Sequence, residues 1–180
     1  MIYYTADQHF GHTNVIAYSG RPFESIEQMN EALIANWNGT VGADDTVYIV
    51  GDFAYRSPVS MEPVLRILKG TKHLILGNHD VRWFKNIKPE EHFASVSRLL
   101  EIDDSGVHVT LCHFPMLEWS RSHRGSVHIH GHIHNNRHDR AYGILQGLNA
   151  YNAGVDVNGF KPATLEQLKE NKRRFCRGKE

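Results

Sequence analysis

The sequence predicts an α/β fold, and three observations support this class. Five short apolar runs have the length and composition of strands, at positions 2–6, 46–50, 73–76, 107–112 and 126–130. Helical patterns with capping residues lie between and after these runs. The 180 residues contain no linker, repeat or low-complexity stretch. We therefore expect one domain that spans residues 1–180.

The helices are predicted from their caps and apolar faces. Ser25 and Gln28 form a capping box at the start of the first helix, and Gly39 follows its end. The apolar face of this helix consists of Ile26, Met29, Leu33 and Trp37. A second helix is predicted over 61–69, closed by Gly70. Thr164 and Gln167 cap a last helix, which packs through Leu165 and Leu168.

The second half of the chain carries further strand signals. Positions 96–102 and 107–112 are predicted to pair as a hairpin around 103–106, with a loop longer than the tightest kind. A late strand is predicted over 151–157.

Composition excludes several classes of protein. Net charge is zero and the pI is about 7.2, so there is no basic footprint for nucleic acid. The chain has no apolar run long enough to span a membrane. Two cysteines provide no disulfide framework, which favours a reducing, cytoplasmic location. A cleaved signal peptide is not expected, because the first strand leads into Asp7 and His9.

Segments rich in Asp and His stand at or just beyond the ends of the strand-like runs. They are Asp7-Gln8-His9, Gly51-Asp52, Gly77-Asn78-His79-Asp80, and His113 with Gly131-His132-Ile133-His134. Side chains just past strand ends converge on one crevice in open α/β sheets. Asp, Asn and His offer oxygen and nitrogen ligands suited to Mn, Fe, Zn, Ni or Co. The pattern predicts a site for two metal ions, in which a carboxylate, Asp52, is the natural bridge.

The five motifs in this order resemble the calcineurin-like metallophosphoesterase superfamily, in particular its small single-domain bacterial and phage members. The match spans residues 7–134, and Gly-Asn-His-Asp is its most specific part. The resemblance implies a four-layer α/β/β/α sandwich with two mixed β-sheets. It also implies two divalent ions, with Mn favoured, and a phosphatase or phosphodiesterase activity on a small, nucleotide-sized phosphate ester.

The resemblance assigns a role to each matching position. Asp7, His9 and His134 would hold one ion, Asn78, His113 and His132 the other, and Asp52 would bridge them. A hydroxide held by the ions would attack phosphorus. His79 would protonate the leaving oxygen, oriented by Asp80, and Arg56 would contact the phosphate. The sequence around Arg56 matches only in part, since Tyr55 stands where the family often has Asp.

Two other functions compete with this prediction. A non-catalytic scaffold on the same fold would tend to lose ligands or the His79 equivalent, and here all are present. A nuclease of the same superfamily lacks support from a basic surface. The sequence leaves open the oligomeric state, the substrate, and the roles of His12, the loop 115–125 and the basic tail after 172. His128 and His130 are expected to be structural or to support the ligands.

Overall fold

Two four-stranded sheets form the centre of the protein in a computed structural model, which describes residues 1–55 and 60–177. The first sheet is parallel throughout, in the order β1-β2-β3-β4. Its strands are β1 (Ile2–Thr5), β2 (Thr46–Val50), β3 (Thr71–Ile75) and β4 (Ser95–Ser97). The expectation of two mixed sheets is therefore wrong for this sheet. Helical crossovers separate its strands, and such connections return the chain in parallel.

The second sheet is mixed and has the order β5-β6-β7-β8. Its strands are β5 (Leu99–Asp104), β6 (Val107–Cys112), β7 (Val127–His130) and β8 (Ala150–Asn152). β5 and β6 are antiparallel, whereas β6, β7 and β8 run parallel to one another. The carboxyl ends of β6, β7 and β8 consequently lie together.

Six α-helices and three short 3-10 helices connect the strands within 1–55 and 60–177. The α-helices are α1 (Thr13–Tyr18), α2 (Ile26–Thr40), α3 (Glu62–Ile67), α4 (Asp80–Phe84), α5 (Arg140–Leu145) and α6 (Leu165–Arg177). The 3-10 helices are Pro89–Glu91, Ser122–Arg124 and Val155–Val157. No helix in this part of the chain is long and apolar enough to cross a membrane.

Both predicted pairs of capping residues form hydrogen bonds at the start of their helices. The Ser25 side chain accepts a hydrogen bond from the Gln28 amide at the start of α2. Thr164 and Gln167 exchange reciprocal hydrogen bonds before α6. The predicted end of α2 is wrong, because the helix continues through Gly39 to Thr40, whose hydroxyl donates to the Asn36 carbonyl.

Strand alternation divides the apolar side chains between two cores. Tyr3, Val47 and Leu74 face α2 and α3, where Leu33 and Leu65 are buried. The other face of the first sheet packs on the second sheet and on α6, through Tyr4, Val50, Ile75, Val109, Leu111, Ile129 and Leu168. These two cores therefore define three successive layers, which are the helices α2 and α3, the first sheet and the second sheet. The fourth layer of the sandwich stays a prediction.

Three sequence predictions for the second half differ from the structure. The run 96–102 is split at Arg98, so that β4 joins the first sheet and β5 the second. The hairpin turn is also tighter than predicted, because Ser105 and Gly106 both adopt positive φ and close a two-residue loop. The predicted strand 151–157 is only half correct. β8 ends at Asn152, and a 3-10 helix comes after it.

Candidate metal centre

The carboxyl ends of strands from both sheets meet at one place. Asp7 and His9 follow β1, Asp52 follows β2, and Asn78 follows β3. His113, His132 and His134 follow β6 and β7. The two sheets are joined here by backbone hydrogen bonds, from Ala6 N to Ala153 O and from Val155 N to Ala6 O. The fold thus brings all seven predicted ligands to one end of the sheets.

One group of potential ligands consists of Asp7, His9 and His134. Their ligand atoms all lie within 4.8 Å of one another. The Asp7 side chain is fully buried, and its carboxylate accepts the backbone amide of His132 at 3.0 Å. This is the predicted ligand set of the first ion.

A second group adjoins the first. Asp7, Asp52 and His113 also have ligand atoms within 4.8 Å of one another, so Asp7 belongs to both groups. Asp52 Oδ2 is 3.4 Å from His113 Nε2 and 3.7 Å from His9 Nε2, and so lies between the two groups. Asn78 Oδ1 is 3.1 Å from His113 Nε2 and 3.0 Å from His132 Nδ1.

The groups around the His113 ring favour a cation beside its Nε2 atom. Its Nδ1 lies 2.9 Å from the Val50 carbonyl, which can only accept, so Nδ1 carries the proton. Its Nε2 faces two oxygens, Asn78 Oδ1 and Asp52 Oδ2, so this nitrogen must either carry a proton or share a metal ion with them. A divalent ion among these three atoms would satisfy all of them.

His9 supports the same interpretation. Its side chain is 2% exposed, and its Nε2 is buried with no hydrogen-bond partner among the described residues. A buried polar atom without a partner costs about 1–3 kcal/mol. Since Nε2 faces the carboxylate of Asp52, a bound metal would provide the missing partner.

The proton affinities of these groups are strongly perturbed. Burial raises the pKa of Asp7 to about 6, although His134 and His113 act to lower it. Burial lowers the pKa of His113, but Asp52 and Asp7 outweigh it and bring that pKa to about 9. Burial and the neighbouring His134 lower the pKa of His9 to about 2. Such clusters of perturbed groups are typical of functional sites.

The backbone of the site is unusual as well. Eight non-glycine residues among those described have positive φ. Five of the eight are predicted ligands: Asp7, His9, Asp52, His132 and His134. Each such residue costs about 1–3 kcal/mol, and such strain is concentrated at functional sites. The loops that carry the ligands are thus held in conformations that packing alone would not favour.

Glycines allow the ligand loops to approach closely. A Cβ at Gly77 would collide with Asp52 Oδ1 and lie 2.7 Å from the Asp52 amide nitrogen. A Cβ at Gly51, which has φ +86°, would collide with the His113 ring. The glycines that precede Asp52 and Asn78 are therefore required by space.

His79 lies at the opening of this centre. Its side chain is 38% exposed, and its Nε2 is 3.9 Å from Asp52 Oδ2. Its ring makes an edge contact with Tyr55 at a centroid distance of 4.8 Å. Its backbone amide donates to Asp52 Oδ1 at 2.9 Å.

Among the described residues, the Asp80 carboxylate has hydrogen-bond partners other than the His79 ring. It accepts hydrogen bonds from the backbone amides of Asp52, Phe53 and Gly77 and from the Trp83 indole, at 2.7–2.9 Å. These four donors occupy both oxygens, and the His79 ring is not among the partners found in the described residues. Asp80 instead joins the loops after β2 and β3, and so positions the backbone on which Asp52 and His79 stand.

Sequence reasoning missed Asp156 and Arg21. Asp156 Oδ2 accepts a hydrogen bond from His134 Nδ1 at 2.8 Å, which leaves His134 Nε2 free to bind an ion. Arg21 forms a two-pronged ion pair with Asp156 and donates to the carbonyls of Asp7 and Gln8. Asp156 lies in a stretch predicted as strand, and no local motif links it to Arg21, 135 positions away.

The remaining predicted residues have separate places. Arg56 lies outside the described residues. His12 is beside the centre, with its Nδ1 3.2 Å from His9 Nδ1 and its ring stacked on Tyr55 at 3.8 Å. His128 is structural, as expected, since its ring contacts the Thr110 and Phe114 carbonyls and accepts from the Met116 amide.

Comparisons with known proteins show related chains and a similar fold. The fold and site define an α/β protein with His/Asp groups able to hold metal. No protein-family model matches the chain. The uncharacterized protein MJ1445 of Methanocaldococcus jannaschii is 34% identical over 169 residues, covering 93% of this chain and 88% of that protein. The chain belongs to the same family as MJ1445.

Two solved structures are similar to different degrees. A protein of unknown function from Aquifex aeolicus, AQ665, aligns with a TM-score of 0.73 and 25% identity, over 94% of this chain and 98% of AQ665. A conserved uncharacterized protein of Streptococcus pneumoniae, described as a predicted phosphoesterase, aligns with a TM-score of 0.40 and 15% identity. That alignment covers 74% of this chain and 62% of the other, and it is too weak to assign fold or function.

Proposed function

We propose that the protein is a metal-dependent phosphoesterase of the calcineurin-like superfamily, which uses two divalent ions to hydrolyse a small phosphate ester. The observation that carries the proposal is the geometry around Asp52. Within residues 1–55 and 60–177, its Oδ2 lies between His113 Nε2, which faces only acceptors, and His9 Nε2, which has no hydrogen-bond partner. The four-layer sandwich, a preference for Mn and a cytoplasmic location are parts of the same proposal.

The proposed ligands form two sets. Asp7, His9 and His134 would hold one ion, and Asn78, His113 and His132 the other, with Asp52 between them. When bound, the ions would supply Lewis-acid activation of a water molecule and neutralise charge on the phosphate. The donor set suits a first-row transition metal, because nitrogen and oxygen ligands are mixed.

The remaining roles belong to the chain itself. His79 is partly exposed at the opening of the cleft, where it would give a proton to the leaving oxygen. Asp156 would keep the Nδ1 proton of His134 in place, so that Nε2 stays available. Arg56 would contact the phosphate, as the sequence predicts.

A non-catalytic scaffold explains the site less well. Five predicted ligands adopt positive φ at about 1–3 kcal/mol each. His9 Nε2 is in addition buried without a hydrogen-bond partner in the part of the chain that the structure describes. A binding surface elsewhere on the fold would gain nothing from these costs, whereas a metal centre requires them.

Metal content and activity together test the proposal. We expect two divalent ions per chain by elemental analysis, loss of 4-nitrophenyl phosphate or bis(4-nitrophenyl) phosphate hydrolysis on chelation, and recovery with Mn²⁺. Asp52→Asn should lower the occupancy of both ions, whereas His9→Ala should lower mainly one. Asp103→Asn serves as the matched control, because it changes an exposed carboxylate near the end of β5 that accepts only the Gly106 amide among the described residues. Full activity in metal-free protein would end the two-metal proposal.

A further inference from the structure

Two grooves lined by residues that the structure describes open beside the predicted metal ligands. The first has a volume of about 700 Å³ and is lined by His9, His79, His134, Tyr55, Tyr18 and residues of the segment 135–139. The second has a volume of about 530 Å³ and runs from His132 along Phe114 and Pro115. Residues 132, 133, 136, 138 and 139 line both grooves, so His132 stands where the grooves meet. Pockets of this size accommodate whole organic groups.

Each groove contains an exposed aromatic ring. Phe114 is 44% exposed, and its ring centroid lies 4.8 Å from that of His132 and 5.2 Å from that of His113. Tyr18 is 78% exposed and lines the first groove. A large apolar ring left in water beside predicted metal ligands offers a surface on which a planar group can stack.

The number of grooves helps to distinguish a phosphomonoester substrate from a phosphodiester substrate. A phosphomonoester has one organic substituent on phosphorus, which needs one groove. A phosphodiester has two, of which one leaves and one stays on phosphorus. His79, the proposed proton donor, lines the first groove and not the second. The leaving group would thus occupy the first groove, and the second is left for the retained substituent.

On these grounds, and resting on the proposed function, we infer that the substrate is a phosphodiester whose retained substituent is planar and stacks on Phe114. In the reaction, the oxygen of water bonds to phosphorus and the bond from phosphorus to the leaving oxygen breaks. His79 gives that oxygen a proton, and a proton from the water passes to solvent. The products are an alcohol and a phosphomonoester.

Two substrates that share the same leaving group can distinguish the roles of the two grooves. Bis(4-nitrophenyl) phosphate and 4-nitrophenyl phosphate both release 4-nitrophenol, but only the diester keeps a second ring. Phe114→Ala should lower kcat/KM for the diester by about 5- to 150-fold, which is the range of one base–aromatic stacking contact. The loss should be mainly in KM, since stacking is present before and during the reaction. The monoester rate should stay within about twofold.

Three variants and a binding measurement complete the design. Phe114→Tyr keeps a ring and should restore diester hydrolysis, whereas Tyr18→Ala should slow both substrates because it lines the groove of the leaving group. Leu117→Ala removes an exposed side chain of the same segment that lines neither groove, and should change nothing. Mn²⁺ titration calorimetry of Phe114→Ala should give the wild-type affinity.

The outcomes distinguish this inference from the proposed function. Chelator-sensitive hydrolysis of the monoester with none of the diester would overturn the inference and leave the phosphoesterase intact. Equal slowing of both esters by Phe114→Ala, or weaker Mn²⁺ binding, would mean that Phe114 only supports His113 and His132. No chelator-sensitive hydrolysis of either ester would refute the proposed function itself.

Discussion

Replacement of Asp80 by asparagine tests how the two ligand loops are held. Each carboxylate oxygen accepts two donors: Oδ2 the amides of Asp52 and Gly77, Oδ1 the amide of Phe53 and the Trp83 indole. In Asp80→Asn one oxygen becomes an NH₂ group, which faces two donors whichever way the amide turns. Two hydrogen bonds to a charged group are lost at about 1.5–3 kcal/mol each, so we expect a destabilisation of about 3–6 kcal/mol.

Urea unfolding monitored by tryptophan fluorescence measures this loss, with chelator present so that metal binding adds no stability. Burial raises the pKa of Asp80, opposed by the hydrogen bond from Gly77, and the experiment is therefore run at pH 8, since a higher pH favours the charged carboxylate. Asp103→Asn makes the same chemical change at an exposed position of β5 and should stay within about 0.5 kcal/mol of wild type. A loss of less than about 1 kcal/mol in the free energy of unfolding of Asp80→Asn would refute the structural role. The predicted role, in which Asp80 orients His79, would then be favoured.

Two further variants address the centre itself. His79→Ala should slow esters with alkoxide leaving groups about 10²–10⁴-fold and nitrophenyl esters much less, because a nitrophenolate departs without a proton. Equal losses on both ester types at unchanged metal content would instead assign His79 to charge stabilisation. Gly77→Ala should displace the Asp52 carboxylate, since the new Cβ would collide with Oδ1. Titration with Mn²⁺ should then show weaker binding, and wild-type affinity would show that the loop yields at little cost.

The clustering of the candidate ligands could be predicted from sequence because its information is local. Each ligand belongs to a short motif directly after a strand-like run, and the ends of parallel strands converge whatever the later course of the chain. His113 is the weakest such signal, as a lone histidine after β6. The structure nevertheless places it 2.9 Å from the Val50 carbonyl at the end of β2, within the cluster.

The parts that could not be predicted depend on distant contacts. The run 96–102 is continuous in hydropathy, and nothing in it shows that the chain passes from the first sheet to the second at Arg98. The role predicted for Asp80 rests on its neighbour in sequence, whereas its partners at Asp52 and Phe53 are 28 and 27 positions away. Asp156 and Arg21 form their pair only in the folded chain.

The ion pair between Arg21 and Asp156 also sets an order of events during synthesis. Asp156 is translated 135 residues after Arg21, which at ordinary elongation rates is a delay on the order of 10 s. Asp7, His9 and Asp52 are all translated well before Asp156, and His134 is translated 22 residues before it, so until then His134 has no carboxylate to hold its Nδ1 proton. Under the proposed function, the nascent chain would carry an incomplete metal site. That site would be complete only after Asp156 has left the ribosome and docked on Arg21 and His134.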